Sequence, residues 1–168
     1  MPDPILVAYA TRHGATAEVA HAIGEVLAAS GADVTVRSLA EAHTLDGYPA
    51  AVIGAPLYSA AWLPEATGFV KAHQAALARM RVACFVLAIR LRLPDPALRQ
   101  AVLNAISTER VIMKPLSVGL FAGALDYARL SPIVRLQVQT KGLPEGDFRD
   151  WDAIRAWAAE VGPLLLAR

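Results

Sequence analysis

Ile5-Leu-Val-Ala-Tyr-Ala-Thr-Arg-His-Gly-Ala-Thr16 is an apolar run that ends in a hydroxyl, a glycine and a second hydroxyl, and a helical pattern starts directly after it. A strand buried on both faces of a parallel sheet reads as a continuous hydrophobic run of this kind. A short glycine-containing turn from such a strand into a helix aims several backbone N–H groups at one point. The helix dipole adds partial positive charge there, which suits a phosphate. Thr11 and Thr16 carry hydroxyl donors for the same anion, Arg12, His13 and Ala15 complete the turn, and Gly14 lets the backbone come close. The loop has neither the Gly-Lys-Ser/Thr of the P-loop nor the three spaced glycines of the dinucleotide fold. No lysine stands ready to stabilise a transferring phosphoryl group, so the loop reads as one that holds a phosphate rather than moves it. An ordinary strand–turn–helix connection with incidental threonines has the same appearance.

Outward from this loop, apolar runs and helical patterns alternate. The runs at 4–10, 33–38, 50–55, 82–89 and 116–122 predict five strands. Helices are predicted over 16–29, stopped near Gly31, and over 64–79, opened by Pro64. Asp95-Pro96 and Ser131-Pro132 each read as an N-cap followed by a first-turn proline. A last helix carries Trp151, Ile154, Trp157, Val161 and Leu165 on one face and is expected to end or kink at Gly162-Pro163. Residues 39–46 read as short or irregular, and Gly142 to Asp150 as a polar turn region. No repeat, linker or low-complexity stretch interrupts the 168 residues, which are read as a single domain over 1–168. Alternating strands and helices imply an α/β fold, a doubly wound five-stranded parallel sheet with helices on both faces. A ligand loop after the first strand suggests the order 2-1-3-4-5, with ligands bound beyond the C-terminal strand ends where the order reverses.

Composition narrows the function classes. The apolar stretches are interrupted, and none reaches the roughly 20 residues of a membrane span. The opening Met-Pro-Asp-Pro lacks the basic start and apolar run of a secretory leader, and the lone Cys84 excludes an internal disulfide framework, so a cytoplasmic setting is expected. His21, His43 and His73 show no convergent spacing, and no metal site is expected. The charge is uneven: residues 85–141 hold eight basic and three acidic groups, while the whole chain is only +1. That basic middle suits an anionic substrate, an anionic lipid surface or an acidic partner. It lacks the dense stripe with interleaved aromatics of a nucleic-acid surface.

The predicted order brings the loops after strands one, three and five to one crevice. Gly54-Ala-Pro-Leu-Tyr-Ser-Ala-Ala-Trp-Leu-Pro64 offers Pro56, Leu57, Tyr58, Ser59 and Trp62, two of them aromatics suited to a flat ligand; Trp62 is alternatively an anchor of the loop against the sheet. Phe121-Ala-Gly-Ala-Leu-Asp-Tyr-Ala-Arg129 offers the small Ala122, Gly123 and Ala124, then Leu125, Asp126 and Tyr127. Asp126 either accepts from a ligand N–H or caps the following turn.

A phosphate loop and two further loops with aromatics on such a sheet resemble flavodoxin. The segment Tyr9-Ala-Thr-Arg-His-Gly-Ala-Thr16 is similar to the broader flavodoxin-domain version, Thr-x-His-Gly-x-Thr. Val118-Gly-Leu-Phe-Ala-Gly-Ala-Leu-Asp-Tyr127, followed by a basic helix and Asp150-Trp-Asp-Ala-Ile-Arg-Ala-Trp-Ala158, resembles the menaquinone-dependent protoporphyrinogen IX dehydrogenases. The resemblance implies FMN as cofactor, its phosphate in the first loop (Thr11, Arg12, His13, Gly14, Ala15, Thr16) and its ring between the other two, with Trp62 or Tyr58 over one face. It implies hydride transfer from a tetrapyrrole to FMN, then electrons to a quinone. The chain departs from that branch in the short Ala88-Ile-Arg-Leu-Arg-Leu-Pro-Asp-Pro96, in Ala128 where proline is usual, and in Ser59-Ala-Ala61. Arg12, Arg90, Arg92 and Arg129 are candidate partners for substrate carboxylates. No side chain reads as a general base. Leu91, Leu93 and Leu130 are candidates for exposed apolar surface, serving peripheral membrane association or a homo-oligomeric contact.

Two other classes stay open at this stage, an electron carrier docking on a redox protein and a flavodoxin-fold protein that has lost its flavin. Carriers of that fold are typically strongly acidic, unlike this chain. A signalling receiver would need an acidic cluster at the ends of strands one and three, where this chain has Tyr-Ala-Thr and Gly-Ala-Pro.

Overall fold

The computed structural model describes residues 3–167. In chain order the elements are β1 (Pro4–Tyr9), α1 (Ala15–Ala29), β2 (Asp33–Ser38), β3 (Ala50–Tyr58), β4 (Ala61–Trp62), α2 (Pro64–Ala72), α3 (Gln74–Leu77), β5 (Arg81–Leu87), α4 (Pro96–Ala105), α5 (Ser107–Met113), β6 (Val118–Phe121), β7 (Ala124–Leu125), α6 (Pro132–Thr140), β8 (Gly146–Asp147) and α7 (Trp151–Leu166). Short 3-10 turns occupy Ile89–Arg92 and Tyr127–Arg129. Met1 and Pro2, part of the opening read for a leader, lie outside the described residues, as does Arg168.

The main sheet runs β2-β1-β3-β5-β6, all parallel. This is the expected 2-1-3-4-5 order; only the numbers differ, because the small strand β4 pairs antiparallel with the end of β3. Apolar side chains cover both faces of the sheet. On one face, α1 and α7 pack Val19, Ile23, Leu27, Ile154, Trp157 and Leu165 against Ile5, Val7, Val52 and Phe85. On the other, the α2–α5 side contributes Ala66, Val70, Leu77, Val102, Ile106 and Met113 against Leu6, Ile53, Cys84 and Val86. Two glycines permit this closeness. A Cβ at Gly54 would fall 2.0 Å from the Phe85 ring, and one at Gly24 would fall 2.6 Å from Val36.

Several boundaries differ from the sequence reading. The 64–79 helix breaks at His73, whose φ −111°, ψ 20° is outside the helical well, into α2 and α3. The region after α4 holds an additional helix, α5, whose buried Glu109 accepts a hydrogen bond from Thr67 Oγ1 on α2 at 2.8 Å. Strand β3 runs three residues beyond the expected Ala55 and turns into β4 through Ser59 (φ 50°) and Ala60 (φ 62°). Two-residue hairpins favour such left-handed pairs but usually signal them with Asn-Gly or Asp-Gly. Helix α7 continues through Pro163 to Leu166 instead of ending there. The carbonyl that loses its partner belongs to Ala159, an exposed residue on the solvent side of the helix. The polar 142–150 segment returns to pair β8 with β7, a small antiparallel ribbon built on the last loop. Leu130, read as surface, is buried at 6% exposure, whereas Leu93 is 48% exposed.

Candidate functional site

Three loops meet at the C-terminal end of the sheet, where β1 and β3 diverge to opposite neighbours. The first leaves β1 at Ala10, whose N–H donates to Gly54 O at 3.0 Å, so the first and third strand ends are stitched together. Thr11 Oγ1 then accepts from Gly14 N–H at 2.9 Å. Gly14 is the residue preceding α1, at φ 93°, a left-handed conformation that favours glycine. A Cβ there would meet only Arg129 Nη1, at 3.5 Å, so the requirement is one of backbone angle rather than space. No side chain caps α1, and the N–H groups of its first turn have no intrahelical acceptor. The Thr11 hydroxyl accepts one bond here and keeps its own proton to donate. An anion donor set therefore stands at this point: first-turn N–H groups and a hydroxyl.

Two arginines from distant parts of the chain brace the loop. Arg129 Nη1 donates to His13 O at 2.8 Å. Arg149, whose side chain is 9% exposed, donates to Ala15 O at 3.2 Å and pairs with Glu18 at 3.1 Å and Asp147 at 2.8 Å. Its guanidinium lies 4.7 Å from the Trp151 ring centre. Hydrogen bonds from Arg149 hold the Asp147 carboxyl below its usual range and raise the guanidinium in turn. Arg12 points away from the loop to Glu65 at 2.7 Å, an exposed pair that keeps the Glu65 carboxyl low, after the helix-start backbone hydrogen bond that dominates.

A cleft of about 180 Å³ opens beside this loop. Thr11, Arg12, His13, Ala15 and Thr16 form one end; Pro56, Leu57, Tyr58 and Ser59 one wall; Gly123, Ala124 and Leu125 the other. Tyr58 stands at the rim, 40% exposed, and burial pushes its phenol up against a partial offset from the Arg12 charge. The cleft also takes Leu87 and Ile89 from the loop after β5, and Leu130, Val134, Gln137, Val138, Lys141 and Leu143 from α6 and its flanks. The sequence carries a faint signal for these. Val134 and Val138 sit four apart on a helix with no buried residue, which marks an apolar stripe facing a space.

Five predicted residues are outside the cleft lining. Gly14 acts through its backbone, as above. Trp62 is a correction: it is 2% exposed, packed in the α2–α5 core, with its indole N–H donating to Ala55 O at 2.9 Å. It anchors the β3–β4 hairpin and does not line the cleft: its ring packs in the core cluster that the Leu57 side chain opposite it only borders. Ala122 does not reach the cleft wall. Asp126 caps its own turn, accepting from Ala128 N–H at 2.9 Å, and pairs with Arg129 at 3.6 Å. Tyr127 is structural: its hydroxyl donates to Leu143 O, and its carbonyl accepts from Arg135 Nε and Nη2 at 3.1 and 2.8 Å. It fastens α6 and the 143 segment to the last loop. Among the described residues, no group of three or more His, Cys, Asp or Glu is placed to hold a metal ion.

A family model described as a flavodoxin domain matches residues 6–150. No curated protein matches the chain. Solved structures of similar fold include an oxidoreductase from Corynebacterium diphtheriae, 17% identical, covering 99% of this chain and 98% of its own with a TM-score of 0.61. A flavodoxin from the domain Archaea is 16% identical, with 96% and 98% coverage and a TM-score of 0.57. Oxidised Flavodoxin 2 from Bacillus cereus is 19% identical, with 92% and 94% coverage and a TM-score of 0.57. At these identities the likeness is one of fold.

Proposed function

The chain belongs to the flavodoxin-domain family, and we propose that it is an FMN-dependent oxidoreductase acting on a small organic substrate, with a protoporphyrinogen-type tetrapyrrole as candidate donor and a quinone as candidate acceptor. The observation that carries this reading is the convergence on one cleft of the Thr11–Thr16 turn and two largely apolar walls, Pro56–Ser59 and Gly123–Leu125. The donor set at the start of α1 fits a phosphate monoester: an uncapped helix, a left-handed glycine and a hydroxyl with a free proton. The walls fit a flat heteroaromatic ring, which is held mainly by apolar and aromatic contact.

In this reading the first-turn N–H groups of α1 and the hydroxyls of Thr11 and Thr16 hold the phosphate. Arg129 and Arg149 act one step back, fixing the carbonyls of His13 and Ala15 so that the turn keeps its shape. Tyr58 covers a face of the ring, with Leu57 and Leu125 excluding water. When bound, FMN supplies reversible two-electron chemistry, while the protein provides position and electrostatics. No side chain in the cleft is set up as a general base, so the proton a substrate loses together with its hydride would pass to solvent. The uneven charge, +5 over residues 85–141, favours an anionic substrate over a basic protein partner. We place the reaction in the cytoplasm, at the membrane face where a lipophilic quinone is available; among the described residues no helix is long and apolar enough to cross a membrane.

The test is direct. Purified protein is expected to carry a yellow chromophore that is released as FMN on denaturation, and to be bleached anaerobically by protoporphyrinogen IX with colour restored by menaquinone. Colour without bleaching reduces the reading to a flavin carrier. Protein that neither carries nor takes up FMN refutes it.

A further inference from the structure

Beside the first cleft lies a larger cavity of about 500 Å³, and the family reading leaves it without a role. One wall is α4, which buries only Val102 in the core and leaves Leu98, Ala101 and Ala105 facing this space. Leu57 and Ala60 of the hairpin, Ala88 and Ile89 after β5, and Leu143 close the other sides. No carboxylate lines the cavity. Its charged side chains are two cations, Arg90 and Lys141, both exposed, and among the described residues neither makes an ion pair. Leu57, Ser59, Ile89, Lys141 and Leu143 belong to both cavities, so a molecule in the second one touches the same walls as a ring in the first.

We infer that this cavity is the site of the small-molecule redox partner, an apolar organic anion whose hydrocarbon body lies on α4 and whose carboxylate is held between Arg90 and Lys141. An apolar surface in water gains by taking an apolar body, but that alone does not select charge. Two cations with no counter-ion, on a lining without a single acid, select an anion. A concave site of this size fits a compact molecule better than the flat face of a redox protein. The small side chains of Ser59 and Ala60 keep the boundary between the cavities low, where a bulky hairpin turn would wall them apart. The redox role rests on reading the neighbouring cleft as the flavin site; the binding of an apolar anion does not.

The test uses 2-naphthoate and its neutral counterpart 2-naphthalenemethanol, followed by equilibrium dialysis on the full chain with and without FMN. Naphthoate is expected to bind up to about 5-fold more tightly than the alcohol, the scale of an exposed ion pair converted to affinity. Arg90→Gln and Lys141→Gln should each narrow that gap and leave the alcohol unchanged. Ala101→Trp, which fills the α4 wall from an exposed position, should abolish binding of both probes and leave FMN uptake intact. FMN should not displace naphthoate. No retention of naphthoate, equal binding of acid and alcohol, persistence of the gap in both cation variants, or displacement by FMN overturns the inference. Failure of FMN uptake with naphthoate still retained overturns only the flavin reading and the redox role built on it.

Discussion

Replacing Thr11 by valine tests the phosphate loop with one near-isosteric change. The side chain keeps its volume and loses its oxygen. Two bonds disappear with it. One is the acceptance of Gly14 N–H, 2.9 Å long and part-buried, which closes the turn. A bond of that kind contributes roughly 1 kcal/mol, and the orphaned N–H adds to the cost. For a chain of this length about 1 kcal/mol corresponds to a fall of roughly 2–4 °C in Tm. The second is the bond donated to the phosphate, which involves a charged acceptor and is worth roughly 1.5–3 kcal/mol. That converts to a loss of about 10- to 150-fold in FMN affinity. Quenching of FMN fluorescence on titration reads the affinity, and thermal unfolding of the flavin-free protein reads the stability. Thr11→Ser should restore most of both. A valine variant that binds FMN within twofold of the parent would refute a hydrogen bond from Thr11 to the phosphate. A variant that loses stability but not affinity would show that Thr11 shapes the loop without touching the ligand.

Trp62→Phe removes an indole N–H from the Ala55 carbonyl inside the core, so it should cost roughly 1–3 kcal/mol in urea unfolding and leave the flavin absorption bands in place; Tyr58→Leu should do the opposite, perturbing the bands with little change in stability. The Cys84 thiol, fully buried, is pushed up to about 12 from a usual 9.0, mainly by burial. It should therefore resist a thiol reagent at pH 8 until the protein is unfolded. Because the unfolded thiol ionises first, its stabilising contribution is complete below pH 9 and is lost as pH rises toward 12, with a slope of roughly 1 kcal/mol per pH unit in chemical denaturation. Arg149→Met should lower stability and loosen the β7–β8 ribbon, seen as faster amide exchange at Phe148, whose N–H donates to Gly123 O at 3.1 Å. Since Asp147 is held low by that arginine, the parent should show the same loosening as pH falls through the lowered Asp147 value, with the contribution intact above the ordinary carboxylate range. In the variant that acid step should vanish.

The sheet and the position of the cleft were legible because they rest on local signals. Continuous apolar runs mark strands buried on both faces, and Gly14 and Pro64 mark where the chain must turn. The residues misplaced by sequence reading are those whose direction depends on pairing. Trp62 looks like a ligand-stacking aromatic on a strand-end loop until the β3–β4 hairpin folds that loop back and buries the ring in the core, with its N–H on Ala55 O. Asp126, read as a ligand acceptor or a turn cap, is the cap, accepting from Ala128 N–H, while Tyr127 is consumed by Leu143 and Glu145, partners 16 and 18 residues away that no spacing rule reveals. The Ser59-Ala60 turn hides because neither residue advertises a positive φ. Helix α6 over the cleft, and the cavity behind Leu57, arise from packing between elements and leave only the weak trace of valines on a helix with nothing to bury them.

The contact between Arg129 and the His13 carbonyl joins residues 116 positions apart. It mechanically links the opening turn to the closing one, so anything that steadies the first should quieten the second. Inorganic phosphate alone, far too small to span the gap, should then slow hydrogen exchange around Leu125 and Ala128. Release of a long ligand would follow as a zipper opening from its uncharged end, with the anchored tail the last part to leave.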